Sequence, residues 1–363
     1  MSETLTTLEP MCAEPLAAPG PPDLPRLKLT GRHALTTSVW AKVLLVLAIP
    51  VFSCVLAFFL VGSQIFQRYA DPLWVRASDQ IYTARNVHCE IVLFGDSTAI
   101  TGIDPKIIEA ATHLRTCNLA QTKGVLAVLG TSGLDMYLRN NPRPQILLIQ
   151  FAGQDFYHPG SWRDTGAYME GVVPMLRFYP RRQFVTALLH HPEIYMGMMH
   201  FAYLTGPMNL LRNRLRRQVP QHSAEVPIDV HLVMPQPAFK SCKGVEDIDP
   251  MFHAPDATFI RELREHYGAL AGNVVLDAAP DSACDPRLDF LENTLVGLDN
   301  RVRPYPAQLF NEGYEHYTAQ GAARLSASIA RQLEPLAAAA QQKPAQSETV
   351  AVREPNQPHR QKP

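Results

Sequence analysis

From Val43 to Gln67 the chain carries no charged side chain, and VLLVLAIPVFSCVLAFFLVG within that stretch is apolar almost throughout. A helix of about 25 residues rises far enough to cross a hydrocarbon layer of ~30 Å. Trp40 before it, with Phe66 and Tyr69 after it, are placed as interfacial anchors. Pro50 is tolerated in such a helix. The pattern predicts a membrane anchor over residues 39–67. A cleaved signal peptide is the rival reading. It fits poorly, because the apolar core is too long and begins too late, and Val61-Gly62-Ser63 is a poor cleavage site. Arg26, Lys28, Arg32 and Lys42 precede the span, whereas only Arg68 and Arg76 follow closely. The positive-inside rule then puts the N-terminus in the cytoplasm and the bulk of the chain outside. Residues 1–38, without helical or strand periodicity, read as a disordered cytoplasmic tail.

Beyond the anchor the pattern changes to short apolar runs alternating with amphipathic stretches. Glu90–Phe94, Thr116–Leu119, Gln145–Phe151 and Asn273–Leu276 read as strands, and the clearest, QILLIQF, has the unbroken apolarity of a strand buried on both faces. Asp104-Pro105 opens a helix as N-cap and first-turn proline. Val125–Arg139, Asp256–Leu270 and Ala319–Leu336 read as further helices, the second with Phe259, Leu263 and Tyr267 on one face. This alternation predicts an α/β domain over residues 68–336. It would have three layers, a mostly parallel sheet with helices on both faces, after one transmembrane helix. Residues 337–363 read as a second tail.

An insertion over about 160–250 interrupts the alternation. Ile194–Leu211 carries no charge and is followed by Arg212, Arg214, Arg216 and Arg217. A second complete span would put the two halves of the domain on opposite sides of the membrane. The segment is therefore either a core helix or one lying on the membrane surface, where arginines meet anionic lipid.

Composition narrows the function classes. With 33 Lys+Arg against 34 Asp+Glu the net charge is −1, which lacks the basic excess a nucleic-acid binder needs. No Gly-x-Gly-x-x-Gly or phosphate loop is present, so no cofactor is expected. His190-His191 with Glu193 does not have metal-ligand spacing and reads as surface. Of the 6 cysteines, Cys12 and Cys54 fall on the cytoplasmic and membrane side. Cys89, Cys117, Cys242 and Cys284 fall where disulfides persist. Cys242–Cys284 is the expected bridge. Cys89 and Cys117, at the starts of neighbouring strands, form a second candidate pair, and buried free thiols remain the alternative.

The chemistry lies at two distant points. Gly95-Asp96-Ser97 ends the first strand and precedes a helix, so Ser97 stands at the carboxyl edge of the sheet, where open α/β folds bind ligands. A serine there is a nucleophile only with a base in reach. His316 is the candidate, just before the last helix. These two blocks resemble the SGNH (GDSL-type) hydrolases, a superfamily of esterases and acyltransferases. The resemblance implies Ser97 as nucleophile and His316 as general base. It implies an oxyanion hole from the Ser97 N–H, Gly124 and Gln154, with Asn118 and Asp155 completing their blocks. Two positions depart from the pattern. Gln154 stands where the family has asparagine, and Gly313 where it has the aspartate three before the histidine. Glu312 is the nearest substitute for that aspartate, and Glu315 adjoins the histidine.

Within that superfamily the chain most resembles the membrane-anchored periplasmic proteins of polysaccharide O-acetylation and D-alanyl transfer, and with the predicted anchor this implies a single-pass protein of the bacterial inner membrane with a periplasmic domain. Such a protein would be a serine esterase or O-acyltransferase acting on an acyl ester of a cell-envelope glycan or related substrate. Its partners would be the bilayer, through residues 43–67, and a membrane-bound acyltransferase or polysaccharide machinery. The alternative is a non-catalytic accessory subunit of such a machine. A lipid-directed esterase reaching its substrate through the Ile194–Arg217 segment is a third reading.

Overall fold

The computed structural model describes residues 39–130, 133–158, 173–174, 176–190, 193–215, 254–311 and 316–342. The expected tail 1–38, most of the expected tail 337–363, Cys12, Cys242, His191 and the Glu312–Glu315 stretch lie outside them. Two units divide the chain, Met1–Ile49 and Pro50–Pro363. Of the first, only the opening part of helix α1 (Val39–Gly62) is described.

Helix α1 contains Lys42–Gly62, a run of 21 residues long and apolar enough to cross a membrane, of which only 6% is buried within the protein. Gln67 was expected within this helix, but α1 stops at Gly62. Ser63 adopts an extended conformation and accepts a hydrogen bond from the Phe66 N–H, which caps a separate helix, α2 (Gln64–Tyr69). Helix α3 (Leu73–Thr83) then leads into the sheet.

The sheet has β1 (Ile91–Gly95), β2 (Thr116–Asn118), β3 (Ile146–Phe151) and β4 (Asn273–Ala278), in the order β2-β1-β3-β4 and parallel throughout. Strand burial explains the continuous apolar runs. Val92 and Phe94 of β1, with Leu147, Ile149 and Phe151 of β3, enter one core. Ile91 and Leu93, with Ile146 and Leu148, enter a second core on the opposite face. A shorter parallel pair, β5 (Asp281–Ser282) and β6 (Pro304–Tyr305), stands apart from that sheet.

Helices fill both layers. Helix α4 (Ser97–Gly102) and α5 (Pro105–Thr112) follow β1, with Asp104 capping α5 as expected. The long helix expected over Val125–Arg139 is instead a 3₁₀ turn, Gly124–Ala127, and a separate helix α6 (Leu134–Asn140). Left-handed backbone at Leu129 and positive φ at Gly133 break the helix between them. In the insertion, α7 (Arg181–His190) and α8 (Glu193–His200) are followed by a π-helical turn, Phe201–Thr205, and α9 (Gly206–Leu215). Helix α10 (Ala257–Gly268) buries Phe259, Leu263 and Tyr267 and is capped by Asp256. Helix α11 (Leu288–Thr294) had no clear signal in the sequence. Helix α12 (Ala319–Gln342) runs past Leu336, where a tail was expected, because Ala337 continues its buried stripe.

A third core joins the end of α1 to the insertion, through Ala57, Val61, Phe66, Phe184, Ile194, Met198 and Phe201. Below it Arg177 is enclosed, bonded to Asp71 at 2.6 Å and Asp79 at 3.0 Å with its side chain 2% exposed. Its guanidinium also donates to the Val61 carbonyl at the C-terminal end of α1.

Cys89 and Cys117 form a disulfide that ties the lead-in to β1 to β2. Cys54 is free. Cys284 is disulfide-bonded, and its expected partner Cys242 lies outside the described residues.

Candidate active site

Strand β1 ends in Gly95, whose backbone lies so close to β3 that a methyl on it would meet the Gln150 carbonyl oxygen at 2.1 Å. Asp96 follows, fully buried, and its carboxylate holds the turn together. One oxygen accepts from the Thr98 N–H at 2.8 Å and the Thr98 hydroxyl at 2.6 Å, capping α4. The other accepts from the Ala152 N–H at 2.7 Å, at the end of β3. Asp96 is thus a clamp between two strand ends, and it leaves Ser97, half-buried, at the first position of α4. Replacing Asp96 with alanine removes the cap and strands the Ala152 N–H. We expect a loss of about 2–3 kcal/mol in a denaturant titration. Asp96→Asn should retain part of this, because its single carbonyl oxygen can serve only one of the two strand ends.

His316 is delivered from the far end of the chain. The Asn311 N–H donates to its carbonyl at 2.8 Å, and the Asn311 side chain donates to the Tyr317 carbonyl at 2.9 Å. Tyr317 is buried, pairs with Phe310 in an antiparallel bridge, and donates its hydroxyl to the Pro280 carbonyl. Thr318 then starts α12, and Ser326 on that helix accepts from the Asp104 N–H at 2.8 Å. Asn311 and Tyr317 are thereby held together around the histidine backbone. As a result His316 Nε2 lies 3.0 Å from Ser97 Oγ, across 219 residues of sequence. With the imidazole proton on Nδ1, Nε2 accepts from the serine hydroxyl, as a nucleophile and its general base require.

The other expected groups gather at the same carboxyl edge. Leu119 and Gln121 donate backbone N–H groups to Leu93 and Gly95, so the loop after β2 crosses the end of β1. This brings Gly124 against the serine turn. A methyl there would lie 2.0 Å from the Gly95 carbonyl oxygen and 3.2 Å from the Asp96 nitrogen, so only glycine fits. Gln154 lies half-buried in a 3₁₀ turn, Gly153–Asp155, just after the Ala152 that Asp96 holds, and Asp155 is buried. Asn118 is a brace within its block. Its amide donates to the Ala99 and Ile103 carbonyls and accepts from the Ala120 N–H, so it fixes α4 against β2. Glu312 and Glu315 lie outside the described residues, and the acid of the site is not assigned.

Sequence reasoning missed Asp277, the last acidic position of β4. It is fully buried, pairs in register with Gln150, and has the Arg303 guanidinium at 3.6 Å. Burial pushes its carboxyl up to about 7, and Arg303 offsets only part of that. An acidic residue directly after the apolar run Val274–Leu276 was the available signal. Among the described residues no cluster suited to a metal ion occurs.

A separate cleft of 520 Å³ is lined by Val125, Leu129, Phe259, His158, Glu262 and His266. His266 and Tyr267 both bond the buried Asp135, and the Tyr267 hydroxyl accepts from the Leu129 N–H at 2.9 Å. That network holds the left-handed Leu129. It contains neither Ser97 nor His316.

No family model, no curated protein and no solved structure matches this chain. The functional reading therefore rests on the residues and their geometry.

Proposed function

We propose that the protein is a membrane-anchored serine esterase or O-acyltransferase of the SGNH type, working outside the cytoplasm on an acyl ester of an envelope glycan or related substrate. The observation that carries the reading is the 3.0 Å contact of Ser97 Oγ with His316 Nε2 at the carboxyl edge of a parallel sheet. In the reaction, His316 takes the Ser97 proton as the oxygen attacks the ester carbonyl. The tetrahedral oxyanion is held by the Ser97 and Gly124 N–H groups and the Gln154 amide. His316 then returns the proton to the departing alkoxide, leaving an acyl-serine. Water or a sugar hydroxyl, deprotonated by His316, attacks that ester and frees Ser97.

The outward placement of the domain draws support from the charge asymmetry around α1 and from the Cys89–Cys117 bridge, since such bridges persist in oxidising compartments. A fluorophosphonate probe on the full chain in detergent tests the catalytic reading. Labelling of Ser97, found by peptide mapping, is expected. Intact folded protein that neither labels nor cleaves an activated acetyl ester puts the accessory-subunit reading in its place, a reading that Gly313 and Gln154 favour.

A further inference from the structure

We infer that the insertion helices α7 to α9 are sunk in the apolar layer of the bilayer beside α1, so that the domain is partly embedded and does more than hang from a single anchor. The inference rests on α1 as the membrane span and is independent of the chemistry at Ser97. Lys42–Gly62 has 21 residues. At ~1.5 Å per residue that is about the thickness of one hydrocarbon layer, with nothing to spare.

The insertion packs well down that length. Ser53 and Tyr203 are joined twice, the tyrosine hydroxyl donating to the Ser53 carbonyl at 2.7 Å and the serine hydroxyl donating to the tyrosine oxygen at 3.3 Å. Phe58 meets Phe184 with ring centroids 5.9 Å apart, and Ala57 and Val61 are fully covered. Ser53 precedes Gly62 by about nine residues, or ~13 Å of helix rise. If the hydrocarbon layer ended where the insertion first touches α1, the uncharged residues from Val43 to Phe52 would have to span it alone. They provide ~15 Å, half of what is needed. The residues around Tyr203 therefore share the depth of α1's outer half.

Their free surface matches that setting. Met196, Leu204, Met208, Leu211 and Leu215 follow one another at helical spacing along α8, the π-helical turn and α9, each at least half exposed, with the exposed His200 in the same stripe. Phe52, Val55 and Phe59 on α1 are exposed as well. In water so many exposed large apolar side chains would be unfavourable. In lipid they are the expected exterior, and the paired Ser53 and Tyr203 groups satisfy each other where water is absent. Arg181, Arg182 and Arg212, all exposed, stand at the ends of these helices, where guanidinium groups reach headgroups.

The test uses the full chain in nanodiscs, with Cys12 and Cys54 replaced by alanine and the native disulfides intact. Single cysteines at Leu204, Met208, Val46 and Glu334 carry an environment-sensitive fluorophore. Leu204 and Met208 probes should lose most of their emission to doxyl-labelled lipid, as the Val46 probe does, and resist aqueous iodide. The Glu334 probe, on the exposed face of α12, should behave oppositely. If the Val46 probe is quenched by lipid while Leu204 and Met208 probes are quenched by iodide, the embedding is wrong and the anchor stands. Protection from both quenchers at Leu204 and Met208 would mean that a protein, another copy included, covers the stripe, and would also overturn it. A Val46 probe open to iodide would remove the anchor itself.

Discussion

Ser97→Ala and His316→Ala should each lower kcat/KM on a small acetyl ester by ~10³-fold or more, with folding unchanged. The two side chains form one unit at 3.0 Å. Without the base the hydroxyl is not activated, and without the hydroxyl the base has nothing to activate. The double variant should therefore be scarcely slower than either single one. Steady-state kinetics on the three proteins decides this, and multiplicative losses would show that the residues act separately. Glu312→Gln should cost less than either, as befits a group that orients the imidazole. If Glu315→Gln proves the more damaging, the acid belongs to Glu315 and the serine–histidine pair is retained.

Arg177→Met should destabilise the protein by about 3–5 kcal/mol at neutral pH and above, because it removes the cation that bonds both enclosed carboxyls. Asp71 and Asp79 are both raised in the folded protein, by burial first, and Asp79 reaches about 7 even with Arg177 in place. A carboxyl raised on folding keeps its proton where the unfolded chain has lost it. Its contribution is therefore fully present below about pH 4 and is lost as pH rises through the folded value. Removing Arg177 takes away the main influence holding both values down. The penalty of the substitution should then be small near pH 4–5 and largest above neutrality. Thermal unfolding of the full chain in detergent at pH 5 and pH 8 measures it, and an equal penalty at both would show that the three groups do not titrate as a set. The Val61 carbonyl loses its donor as well, at every pH.

The uncharged run from Val43 and the strands around Ile91 and Ile146 could be read in the sequence because each is a local signal. A membrane span needs length and apolarity, and a strand buried on both faces needs an unbroken apolar run. Asp104 was legible as a cap for the same reason, since a cap acts within its own turn. The break in the Val125–Arg139 helix was not legible, because Leu129 is held in its left-handed conformation by Tyr267, which is 138 residues away. The Cys89–Cys117 bridge was one of two candidate pairs until β1 and β2 proved to be neighbours.

The same division holds at the site. The sequence by itself determined that a serine would stand at a strand-to-helix turn, that a histidine would precede the last helix, and that an apolar helix would lie near the N-terminus. Each depends on a handful of adjacent residues. Only the tertiary structure decided that the serine and histidine meet, that Asp96 joins two strand ends, that Asn118 is a brace, and that the insertion packs along the C-terminal half of α1. Those outcomes depend on hydrogen bonds and packing between residues far apart in the chain, and their geometry is set by the sheet order and the layers on either side.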